Sequence, residues 1–201
     1  MSEQYTPSLE IKAYATIGVV CLQWSLLEQM LLRVIACAEN APIDKIYLSY
    51  AGLDMMPRIG MALKLARYAK WPQPLIKRIE AIRVALQGKS GRHGLADRRN
   101  QVVHGVHKES EKPDCISLTM VRWDGPRRTQ DVTLSEIADL ATQLAALAQE
   151  AWSISDAYGD WKFGSNREQN GGEQFSRAKT SIGVEIIHHV QSVIKRLFGN
   201  G

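Results

Sequence analysis

The stretch YATIGVVCLQWSLLEQMLLRVI, residues 14–35, decides the fold. Tyr14, Ile17, Cys21, Trp24, Glu28, Leu31 and Ile35 recur at alternating steps of three and four, which on a helix makes one continuous stripe. A second row, Val20, Leu27, Leu31, Val34 and Ala38, widens the apolar face. A helix from about Ser8 to Ala38, largely buried among other helices, is therefore expected. Glu28 is out of place in that stripe. A carboxylate on a buried face is costly unless paired, so Glu28 should either reach solvent or meet a cation from another helix.

Outward from this segment the helical period returns between breaks. Asn40, Ala41 and Pro42 end the first helix. Residues 46–52 fit a helical turn and a short extended piece equally well. Arg58 to Lys70 reads as a second helix with Ile59, Ala62, Leu63, Ala66 and Ala69 inward, and Trp71 to Pro74 breaks it. Leu75 to Leu86 is a third, and a loop at Gly88 to Gly91 leads to a short fourth, Leu95 to about His104, with Gly105 as terminator. Ile116 to Trp123 and Arg127 to Thr133 alternate around Asp124, Gly125 and Pro126, which predicts a β-hairpin. Thr133 or Ser135 caps a last core helix through Ser155, ended by Tyr158 and Gly159. Residues 164–176 read as a flexible linker. Beyond it Ile182, Ile186, Val190, Val193, Ile194 and Leu197 make one face of an amphipathic helix, expected to pack on the core or a partner. The expectation is a mainly α protein. Residues 1–158 form a bundle of four to five helices with an inserted hairpin at about 116–133, and residues 159–201 a linker and C-terminal helix.

The composition, 45% apolar and 23% charged, is that of a globular chain. No run of apolar residues approaches the roughly 18 of a membrane span. Met1 to Gln4 lacks the basic-then-apolar order of a secretory signal. Cys21, Cys37 and Cys115 have no CxxC spacing, which points to free thiols in a reducing compartment. The adjacent His188 and His189 lack a third ligand. A cytoplasmic protein without membrane, metal or cofactor is expected.

Charge is distributed unevenly. From Pro57 to Lys108, twelve cations face only Glu80 and Asp97, whereas the flanking segments are each net acidic. Such a stretch attracts a polyanion, and Arg92, Arg98 and Lys108 are its candidates for binding an RNA backbone. Within it lies RNQVVHG, residues 99–105. On a helix Asn100 and His104 share a face, Arg99 sits at its edge, and Asp97 and (if the helix continues) His107 join them. An imidazole can take the proton of a ribose 2′-OH near neutral pH, and a guanidinium can clamp a phosphate and stabilise its developing charge. Arginine followed by histidine is a common accident. With asparagine next to the arginine and the histidine at one spacing, the chance expectation falls to roughly 0.01 per chain.

Arg99-Asn100 followed by His104-Gly105 resembles the RNxxxH motif of the HEPN superfamily, and the preceding helices, with Trp24 and Glu28 on the first, resemble that family's order. The resemblance covers about residues 8–157. It implies a helical bundle acting as a metal-independent endoribonuclease of toxin–antitoxin or phage-defence type. It further implies a homodimer in which two motifs face one cleft, and an antitoxin or other protein partner. Arg99 and His104 would be catalytic with Asn100 positioning them, and Glu28, Asp97 and His107 in support. The alternative is a non-catalytic dimerisation, adaptor or RNA-binding module, in which Arg99 and His104 form a structural cluster around Glu28.

Overall fold

The computed structural model describes residues 9–89, 93–112, 114–120 and 128–167. Arg92, the hairpin turn, the chain from 168 onward with its amphipathic segment, and His188 and His189 lie outside these residues. The described chain runs α1 (Leu9–Glu39), α2 (Ile43–Tyr50), α3 (Met55–Tyr68), α4 (Gln73–Gln87), α5 (Leu95–His104), β1 (Val106–Glu109), β2 (Cys115–Met120), β3 (Arg128–Thr133) and α6 (Leu134–Arg167). It is mainly helical, as the periodicity requires, with six helices among the described residues where four to five were expected.

The 31-residue α1 spans about 46 Å at 1.5 Å per residue, and its principal partner is α6. Val20, Leu27, Leu31, Val34 and Ile35 are fully enclosed, together with Ile137, Leu140, Leu144 and Ala151 of α6. By length and composition α1 would also serve as a membrane span, with mean hydropathy 1.4 over its best 18 residues. That corrects the expectation that no run approaches one, because the average tolerates scattered polar residues such as Gln23 and Ser25. More than half of this window is covered by the rest of the fold.

Helix ends follow local chemistry. Asn40 adopts φ 53°, and Ala41 N–H donates to Ala36 O at 3.1 Å, the hydrogen-bonding pattern of a Schellman end. Lys70 repeats it at φ 55°, with Trp71 N–H donating to Ala66 O at 3.0 Å. Thr133 caps α6 in a capping box: its hydroxyl accepts from Glu136 N–H at 3.1 Å, and the Glu136 carboxylate accepts from Thr133 N–H at 2.8 Å.

Of the two readings open for residues 46–52 the helical one holds: residues 46–50 lie in α2, of which only Ile46 is buried. Two other expectations are corrected. The sheet has three antiparallel strands in the order β1-β2-β3, so the expected hairpin is two thirds of it. β1 contains a single apolar residue, and pairing to β2 (Val106 with Thr119, Glu109 with Ile116) rather than its own pattern makes it a strand. Finally, α6 does not stop at Tyr158 and Gly159 but continues to Arg167, into the stretch read as linker. A mid-helix glycine costs only about 1 kcal/mol, and here Tyr158 stacks on Trp71 at 3.9 Å between ring centroids. That contact fixes the helix where the local sequence would let it end.

Candidate active site

α5 is anchored by Leu95 and Val102, both buried, and it packs on α1, α4, α6 and β2. Its start is set by Gly94: a Cβ there would lie 2.1 Å from Leu86 O and 2.4 Å from Gly88 N, so only glycine permits the approach of α5 to the end of α4. The face opposite Val102 carries Asn100 and His104, both exposed, with Arg99 half-buried at its edge.

These three side chains meet. Arg99 Nη1 donates to Asn100 Oδ1 at 3.0 Å and stands 3.0 Å from His104 Nε2. A guanidinium has only donors, so Nε2 accepts, and the imidazole in this contact carries its hydrogen on Nδ1. Beneath, the Arg99 guanidinium carbon lies 5.0 Å from the centre of the buried Trp24 ring of α1, within cation–π range. Arg99 Nε is buried and has no hydrogen-bond partner among the described residues. Trp24 is the site residue that sequence reasoning passed over. Its place in the α1 stripe was plain, but that it underlies Arg99 depends on how α1 crosses α5.

The supporting residues fall elsewhere. Glu28 does not reach Arg99 or Asn100; its carboxylate lies 3.7 Å from Arg58 Nη1 of α3. Arg58 is almost wholly buried, and its Nη2 donates to Ala51 O at 2.8 Å and Leu53 O at 2.6 Å, closing the end of α2. Asp97 turns back to His93 at 3.5 Å, both side chains exposed. His107 is not on the helical face, because α5 stops at Gly105, where a Cβ would meet Gln101 O at 2.5 Å. It stands on β1 instead, with Nε2 2.8 Å from Val102 O. Arg98 is half-buried on α5 and Lys108 exposed on β1. Gln101 of the motif helix accepts from Gln130 of β3 at 3.3 Å, a tie to the sheet that the sequence did not signal. Among the described residues no three His, Cys, Asp or Glu side chains cluster as metal ligands would.

Protein-family models, curated proteins and solved structures yield no match to this chain. A donor-only cation, an amide and an imidazole share one exposed surface, a set able to bind an anion and to move one proton beside it.

Proposed function

We propose that this protein is a metal-independent endoribonuclease of HEPN type, acting in the manner of a toxin or phage-defence effector. The observation that carries the reading is the convergence of Arg99, Asn100 and His104, with Arg99 Nη1 3.0 Å from both neighbours on an exposed face. In the resting arrangement the lone pair of His104 Nε2 is occupied by Arg99. A phosphate diester is a stronger acceptor for guanidinium than an imidazole is, and binds it in a bidentate fork. Its arrival draws Arg99 away and frees Nε2 to take the 2′-OH proton. The 2′-oxygen then attacks phosphorus and the bond to the 5′-oxygen breaks, leaving a 2′,3′-cyclic phosphate and, once a proton is delivered, a 5′-hydroxyl. That proton requires a second acid. A homodimer presenting two copies of the motif across one cleft supplies it from the partner's imidazole.

The test is cleavage of single-stranded RNA in EDTA with identification of the ends. His104→Ala and Arg99→Ala are expected to lower the rate by about 100-fold or more. His104 is exposed, so its variant should keep the fold, and a melting curve checks the variant of the half-buried Arg99. Equal cleavage by wild type and His104→Ala ends the proposal.

The mutual engagement of the three groups also favours a second reading, in which the cluster is structural and the protein is a non-catalytic dimerisation, adaptor or RNA-binding module. Under it His104→Ala lowers the melting temperature or breaks an oligomer, and wild-type protein shows no cleavage.

A further inference from the structure

A cleft of about 220 Å³ opens between the first turns of α1 and the β1–β2 pair, lined among others by Glu10, Tyr14, Ile17, His107, Lys108 and Ile116. Tyr14 is 53% exposed, unusually open for a member of the core stripe, and its ring meets the His107 ring edge-on at 5.9 Å and 71°. His107 is in turn fixed by its contact with Val102 O of the motif helix. His107 follows His104 by three positions, and along α1 Tyr14 precedes Trp24, which underlies Arg99, by ten residues or about 15 Å. The cleft therefore lies a few nucleotide steps along a strand from the candidate site.

Its lining combines three chemistries. Tyr14 offers an accessible aromatic face, Lys108 an exposed ammonium, and Glu10 a carboxylate at the same opening. An apolar peptide or lipid chain uses the first alone. A nucleotide uses all three: its base stacks on the phenol ring, its phosphate meets the ammonium, and the N–H groups of its Watson–Crick edge donate to the carboxylate. The volume is below that of the usual cofactor pocket and suits a single base with its sugar. We infer that this cleft is a nucleotide subsite, holding a base of the same single strand of RNA whose scissile phosphate lies at Arg99. The inference rests on the reading of the Arg99–His104 site as one that takes RNA.

It is tested by fluorescence anisotropy of full-length protein with a labelled 2′-O-methyl hexanucleotide of mixed adenine and cytosine, which cannot be cleaved through the 2′-position. Tyr14→Ala is expected to weaken binding about tenfold, and Tyr14→Phe, which keeps the ring, to restore it. Lys108→Ala should weaken binding and lower its salt dependence by about one ion. Tyr14 and Lys108 are both exposed, and melting curves matching wild type check the fold. Wild-type affinity in both alanine variants overturns the inference, as does failure of the wild-type protein to bind the probe. The two readings separate on unmodified RNA. No cleavage together with Tyr14-dependent binding sinks the catalytic reading and keeps the subsite. Cleavage with KM unchanged in Tyr14→Ala sinks the subsite and keeps the catalytic reading.

Discussion

Replacing Arg58 by methionine separates what holds the helices together from what holds the motif. The side chain is 4% exposed, and its Nη2 makes two hydrogen bonds, to Ala51 O at 2.8 Å and Leu53 O at 2.6 Å. Hydrogen bonds from a charged donor contribute about 1.5–3 kcal/mol each, offset here by about 1–3 kcal/mol for the buried, unpartnered Nε. Glu28 is 30% exposed at 3.7 Å, so its pairing adds at most about 1 kcal/mol after solvent screening. Methionine keeps most of the apolar stem. The expected loss is about 3 kcal/mol, or roughly 6–12 °C in Tm for a domain of this size. Glu28→Gln should cost less than about 1 kcal/mol. Urea unfolding followed by circular dichroism measures both. An Arg58→Met loss under about 1 kcal/mol, or a Glu28→Gln loss as large as that of Arg58→Met, would refute the reasoning, because Glu28 and not the α2 carbonyls would then dominate. Below the melting range of both variants, RNA cleavage should match wild type, since neither residue touches Arg99 or His104.

Trp24→Leu should cost about 1–3 kcal/mol in stability and lower kcat about tenfold with a smaller change in KM, because Arg99 loses its platform; an unchanged kcat in a folded protein would dismiss Trp24 as a positioning residue. Gly94→Ala should destabilise by about 2 kcal/mol or more, since the added Cβ meets backbone at 2.1 Å; a melting curve matching wild type would contradict this. The hydrogen bond from Arg78 holds the Glu150 carboxyl below its ordinary value of 4.5, opposed by partial burial. A carboxyl lowered on folding adds stability above its unfolded value and loses it as pH falls through the folded one. Wild-type Tm should thus drop more steeply than that of Glu150→Gln between about pH 5 and 3, by under about 1 kcal/mol given the exposure of both partners; parallel curves would count against the pair.

The sequence displayed whatever depends on spacing along one helix. The α1 stripe and the common face of Asn100 and His104 follow from periods of three and four, which the structure keeps, and the ends at Asn40 and Lys70 from the breakers that follow them. What depends on how one helix crosses another was not legible. Glu28 needed a cation, and many lay downstream; that Arg58 is the one follows from α3 crossing α1 at that level. Trp24 and Arg99 are far apart in sequence and meet only because α5 lies across the middle of α1. β1 shows no pattern of its own, since its hydrogen bonds come from β2. The passage of α6 through Gly159 rests on Tyr158 stacking with Trp71, a contact between residues 87 positions apart.

Arg99 thus combines two roles that the sequence alone would have kept separate. A structural arginine turns its donors onto backbone acceptors, as the buried Arg58 does on the carbonyls of Ala51 and Leu53 that end α2. Arg99 instead sets its guanidinium over a buried tryptophan and makes its hydrogen bonds with two exposed side chains. Water competes freely for both partners, so those contacts add little to stability, and exchanging them for a phosphate costs little. The buried ring remains in place throughout the exchange. On the proposed reading, that asymmetry between a fixed platform and replaceable acceptors lets one guanidinium hold the imidazole at rest and release it when RNA arrives.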